Sequence, residues 1–229
     1  MVAFGISWTK PVRSLIVALI FLSCSIAGQT ITAPTQVDEF GPLSNDDLLA
    51  RVHYLDVQLK QNNSLKAVAI ISGNSWERQV NLLRLRGCHR WLQIPLDRIS
   101  FFFDSESEVK VEFWVLPNGM KLAKSNLRPT DYDLSDLTKP VELSTSQSLE
   151  EYCPRYVDVN LYSRYLAANP TFNGKVVIDT SRKTFVARVS TYRKQLRKLG
   201  ITESRIRFYR KHFYHEHDEQ WWLMPPKRK

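Results

Sequence analysis

The chain repeats itself, and that repeat limits its possible folds more than any other feature. Shifted by 107 residues, positions 52–116 lie over positions 159–223 without a gap, and fourteen of the 65 pairs are identical. Average composition would give roughly four. The identities include Leu59/Leu166, Ile71/Ile178, Arg86/Arg193, Leu92/Leu199, Ile94/Ile201, Arg98/Arg205 and Ile99/Ile206. Near the end come Glu112/Glu219, Trp114/Trp221 and Leu116/Leu223. A chain with this internal match folds as two copies of one small module.

Each copy carries the same order of elements. In the first, Asn45 or Asp46 can cap a helix whose apolar face is Leu48, Val52, Leu55 and Leu59. An apolar strand over 66–72 follows, then a helix marked by Trp76, Val80, Leu83, Gly87 and Trp91, then strands over 98–103 and 110–116. In the second, Val159, Tyr162 and Leu166 mark the first helix, which Pro170 closes. The strand over 174–179 leads to a helix carrying Phe185, Val189, Tyr192, Leu196 and Leu199, with Gly200 just past its last turn. Strands near 205–211 and 218–224 finish the copy, Trp221 and Trp222 facing opposite sides of the last one. Short edge strands are expected before each first helix, at 38–41 and 150–153. The expected class is therefore α/β (α+β): two βαβαββ modules, each a small mixed sheet with helices on one face. The copies span 36–119 and 148–229. Residues 120–147, rich in Ser, Thr, Pro and Asp with little apolar periodicity, read as a surface linker.

The N-terminus reads as a secretory signal over 1–27. Lys10 and Arg13 precede the apolar run LIVALIFL at 15–22, and Ser25-Ile26-Ala27 offers a cleavage site. That run is shorter than the roughly 20 residues a membrane span needs, and no later segment is longer, so no span is expected in the mature chain. Ser23-Cys24 offers a lipid-anchor site as the alternative. Export places the protein in the periplasm or cell envelope and makes nucleic acid an unsuitable partner. It would also let a disulfide between Cys88 and Cys153 persist, although the residues themselves read more simply as two separate small hydrophobes.

Charge is unequally shared. Lys plus Arg minus Asp plus Glu is 9 − 11 = −2 over residues 36–119 and 17 − 8 = +9 over residues 150–229, which equals the net charge of the whole chain. Arg182, Lys183, Arg188, Arg193, Lys194, Arg197 and Lys198 lie on or beside the second helix of the second copy, with no acid among them. Such a run repels itself, and an anionic partner is the expected reason.

The run Leu196-Arg197-Lys198-Leu199-Gly200-Ile201, followed by Ser204-Arg205-Ile206, resembles the peptidoglycan-associated domain at the C-terminus of OmpA-like proteins. The endings Glu112-Phe113-Trp114-Val115-Leu116-Pro117 and Glu219-Gln220-Trp221-Trp222-Leu223-Met224-Pro225 resemble those of certain secreted bacterial proteins. The first resemblance implies binding of the diaminopimelate of a peptidoglycan stem by an Asp after the central strand and an Arg early in the second helix. Asp179 and Arg188 hold those positions in the second copy. The first copy has Ser72 and Asn81 there, and the family's Gly-His-Thr-Asp and Asn-x-x-Leu-Ser signatures are missing.

No nucleophile elbow or phosphate-binding glycine loop occurs among the 8 glycines. Cys88 and His89 are adjacent on a helix and project about 100° apart, too far to share a proton easily. His215 and His217 would share one face of an extended strand and could hold a metal, but a solvent-exposed hairpin tip is the simpler reading. The sequence thus leads to a non-enzymatic, cofactor-free envelope protein. Its basic second copy, with Asp179, Arg188, Arg193, Lys194, Arg197 and Lys198 as candidate contacts, would bind an anionic partner such as peptidoglycan or a membrane surface. A protein-interaction scaffold is the alternative.

Overall fold

The computed structural model describes residues 31–95, 97–144, 157–211 and 219–226. The signal-like segment, Cys24, the expected edge strand at 150–153 with Cys153, and His212, His215 and His217 lie outside them. The first copy runs β1 (Thr35–Phe40), α1 (Asn45–Gln61), β2 (Leu65–Ile71), α2 (Ser75–Trp91), β3 (Ile99–Phe103) and β4 (Val111–Pro117). β5 (Arg128–Thr130) and β6 (Val141–Ser144) follow. The second copy continues through α3 (Val159–Ala168), β7 (Asn173–Asp179), α4 (Arg182–Lys198), β8 (Ile206–Lys211) and β9 (Glu219–Met224). With β6 as its first strand, each copy is βαβαββ, the expected mixed α/β module. The two sheets have the orders β1-β4-β2-β3-β5 and β6-β9-β7-β8.

Each helix begins where a short polar side chain can satisfy a free N–H. The caps are Ser44, one residue before the expected pair, then Asn74 in a capping box with Glu77, Asp158 and Ser181. Helices α2 and α4 return the chain so that β3 lies parallel to β2, and β8 to β7. The apolar stripes then meet the sheets. Leu55, Leu59, Ala69 and Ile71 are fully or almost fully buried in the first copy, and Tyr162, Leu166, Val176 and Ile178 in the second. Size changes between the copies compensate. Tyr162 stands where the first copy has Leu55, and Gly174 stands where it has Ala67. A Cβ on Gly174 would sit 2.3 Å from the Tyr162 hydroxyl.

The identity Arg98/Arg205 has a structural cause. Arg98 donates to the carbonyls of Leu59 (2.8 Å), Asn62 (3.2 Å) and Leu65 (3.0 Å), which close α1 and open β2. Arg205 donates to Leu166 (2.8 Å), Asn169 (2.7 Å) and Phe172 (2.7 Å), the same positions one repeat later. In both copies a guanidinium fork satisfies carbonyls left open at a helix C-terminus.

The last identities do not mark equivalent positions. β2 pairs Ala67 with Val115, whereas β7 pairs Gly174 with Leu223, so β9 is offset from β4 by 108 residues and not 107. A one-residue slip turns every side chain to the other face. Glu112 and Trp114 therefore point away from the helices, toward the layer where Trp114, Leu122 and Leu127 pack on Val68, Ile70 and Leu116. Glu219 and Trp221 point toward them, the Trp221 ring meeting those of Tyr162 and Tyr192 at 4.8 and 5.0 Å. Trp222 takes the opposite face, as the strand period requires.

Two further expectations change. Residues 120–147 are not a bare surface linker, because β5 extends the first sheet and β6 the second. Leu134, Leu137 and Leu143 are buried there, at most 2% exposed. A few buried apolar side chains hold strands too short to show a period. Cys88 is not a free packing residue: it is buried and disulfide-bonded. The other two cysteines, Cys24 and Cys153, lie outside the described residues. Among the described residues no helix is long and apolar enough to cross a membrane.

Candidate functional site

The outer side of α4 is the candidate surface. Over its 17 residues only Val189 and Leu196 are buried, whereas α2, of equal length, buries eight. At 100° per residue, Arg182, Lys183, Arg193, Lys194, Arg197 and Lys198 fall within an arc of about 160°. Val189, Leu196, Phe185 and Tyr192 lie on the opposite arc, against the sheet. All six cations are exposed. Arg197 pairs with Glu203. Among the described residues the other five meet no carboxylate. Val186, 61% exposed, lies among them and lines a shallow groove with Ser190, Arg193, Lys194, Arg197 and the acid Glu203.

Arg188 differs from its neighbours. Its Nη1 donates to Oε1 of Glu219 at 2.8 Å, and the Tyr192 hydroxyl donates to Oε2 of the same carboxylate at 2.7 Å. The Trp221 indole N–H adds a 3.2 Å bond. Glu219 is only 6% exposed, and a carboxylate so buried needs donors such as these. Burial, and then Glu219 itself, push the Tyr192 hydroxyl well above the usual tyrosine range. Asp179 ends β7, 8% exposed, opposite Lys211 in the parallel ladder. The structure thus ties Arg188 to Glu219 and does not leave it free to share a ligand with Asp179. The one-residue slip of β9 is the cause, because it brings Glu219 under α4.

The buried acid of the first copy is held from elsewhere. Glu112 accepts from Lys124 at 2.7 Å and from the Trp114 indole at 2.9 Å. Burial acts to raise the Glu112 carboxyl, but these donors overcome it and hold it below its ordinary value.

A second concavity lies between the copies, a cavity of about 320 Å³ lined by Arg86, His89, Arg90, Tyr132 and Arg164 among others. Its charges have internal partners: Arg86 with Asp131 at 2.7 Å, Arg90 with Asp158 at 2.5 Å, and Arg164 with the Tyr132 hydroxyl at 2.9 Å. Burial, with Arg86 and Arg90 nearby, lowers the His89 imidazole to about 4, so it is neutral at physiological pH. These groups join the copies. Sequence reasoning missed them because Asp131 and Tyr132 lie in the stretch read as linker.

His215 and His217 lie outside the described residues, and among those described no cluster of three His, Cys, Asp or Glu could hold a metal. Compared with models of known protein families and with curated proteins, the chain matches none.

Proposed function

We propose that the chain is a non-enzymatic protein of the bacterial cell envelope that adheres to an anionic polymer, the peptidoglycan sacculus, through the outer face of α4. One observation carries this reading: five exposed cations on a single helix face, none within ion-pair distance of a carboxylate among the described residues. Such a face costs stability through self-repulsion, and a polyanion relieves it. A broad array of exposed cations around a shallow groove suits an extended charged surface better than one small ligand. Arg188 is not required for that mode, since Glu219 holds it.

Location in the envelope is supported by the signal-like N-terminus, with a lipid anchor at Cys24 as the alternative to cleavage. The disulfide at Cys88 suits an oxidising compartment. Peptidoglycan is favoured over a membrane surface by the resemblance of residues 196–206 to the peptidoglycan-associated domain of OmpA-like proteins. The test is co-sedimentation with purified sacculi. Wild type is expected in the pellet and Lys183→Ala/Lys194→Ala/Lys198→Ala in the supernatant. Equal retention of both, or retention only on anionic vesicles, would overturn the proposal.

A further inference from the structure

The first copy shows how this fold finishes its outer edge, and among the described residues the second copy shows no such finish. In the first, β5 pairs antiparallel with β3, setting Thr130 opposite Phe101, Pro129 opposite Phe102 and Arg128 opposite Phe103. Pro129 has no N–H, so its pair is the non-hydrogen-bonded one. Phe101 and Phe103 then turn their main-chain groups toward β5. The chain next places Asp131 and Tyr132 on α2. Arg86 bonds Asp131, and its guanidinium lies between two rings, 4.5 Å from Phe101 and 4.2 Å from Tyr132.

The same frame recurs 107 residues on. Phe208 and Arg210 stand for Phe101 and Phe103 in the parallel ladder, and Arg193 stands for Arg86. Arg193 again lies over its phenylalanine, 5.8 Å from the Phe208 ring. Its other side is open: among the described residues no acid bonds it and no ring covers it. β8 is the last strand of its sheet, and among the described residues nothing pairs with its outer edge. Arg86 is 5% exposed while Arg193 is exposed, and Tyr209 is 44% exposed.

We infer that the edge of β8 together with Arg193 is a docking site for an extended acidic segment of a partner protein. That segment adds an antiparallel strand along Phe208–Arg210 and then sets an acid and an aromatic ring on Arg193. Residues 128–132 of the first copy are the internal template for this occupant. Main-chain bonds to the edge give the affinity, and Arg193 reads the acid and ring that follow. The occupant is acidic because Arg207, Arg210 and Lys211 are all exposed along β8. Charge on an open edge discourages pairing with neutral or basic strands and selects an acidic one. The site goes beyond the adhesion proposed for α4: it shares Arg193 with that face, but Lys183, Lys194 and Lys198 have no part in it.

The probe is a fluorescein-labelled peptide of residues 125–133 carrying Arg128→Glu, titrated with the full chain and read by anisotropy. Saturable binding is expected, weakened about tenfold or more by Arg193→Ala, which loses the charge-assisted bond and the ring contact. Arg210→Pro, which removes an outward N–H at an exposed edge position, is expected to weaken it similarly, and further than Arg210→Ala. The Lys183→Ala/Lys194→Ala/Lys198→Ala variant should still bind, even if it has lost sacculi. No saturable binding up to millimolar peptide, or binding indifferent to both Arg193→Ala and Arg210→Pro, would overturn the inference. So would sedimentation equilibrium showing a dimer that Arg210→Pro dissociates, since a second copy would then hold the edge.

Discussion

Replacing Arg188 should damage the fold before it touches any ligand. In Arg188→Ala the Glu219 carboxylate keeps its bonds from Tyr192 and Trp221 but loses its 2.8 Å cation while remaining 6% exposed. Breaking a fully buried pair costs about 3–5 kcal/mol. The Arg188 side chain is 28% exposed, so solvent screens part of the interaction and about 2–3 kcal/mol is the appropriate figure. For a unit of this size that corresponds to a fall in Tm of roughly 4–12 °C. Glu219→Gln in the same background removes the carboxylate charge that has lost Arg188 while keeping an acceptor for Tyr192. The double variant should therefore regain a degree or more over Arg188→Ala. Urea melts of wild type, both single variants and the double variant close the cycle and isolate the pair. Stability of Arg188→Ala within about 0.5 kcal/mol of wild type, or strict additivity in the double variant, would refute the ion pair as a structural element.

Other outcomes follow from the same structure. His89 is neutral in the fold with its imidazole at about 4, so the unfolded chain binds one more proton as pH falls from about 6.5 to 4. That stability should be present above pH 6.5 and lost across this window, up to about 3 kcal/mol, and His89→Gln should flatten the pH profile of urea midpoints there. Arg205→Lys should cost about 2 kcal/mol by thermal melting, because a single ammonium cannot reach the carbonyls of Leu166, Asn169 and Phe172 together. Non-reducing peptide mapping should recover Cys88 only in a cross-linked peptide, and a free Cys88 thiol would contradict the disulfide.

The duplication made most of the architecture legible. Arg98 and Arg205, Ile71 and Ile178, and Ile99 and Ile206 repeat because the same carbonyls and the same core slots must be filled twice. The Glu-x-Trp motif misled for an instructive reason. It recurs at a spacing of 107 while the strands that carry it are offset by 108, and a gapless alignment cannot register one added residue between β8 and β9. From the sequence, Glu219 therefore looked like a copy of Glu112, and Arg188 like a cation available to a ligand. β5 and β6 were invisible because three or four residues show no period, and their partners β3 and β9 lie far away in sequence. The exposed face of α4 was legible directly, since seven cations without an acid leave little for the interior.

The central claim is that exposed cations on α4 hold the protein to sacculi by charge. Its most direct test is a salt titration of sacculus binding, wild type beside Lys183→Ala/Lys194→Ala/Lys198→Ala, with Tm measured on both to show that the fold is intact. Screening shortens the reach of exposed charges from about 10 Å at 0.1 M salt to about 3 Å at 1 M. Wild type should accordingly bind at low salt and be released as salt rises, while the triple variant binds weakly throughout. Wild-type binding that is unchanged at 1 M salt and equal in the folded triple variant would contradict the claim.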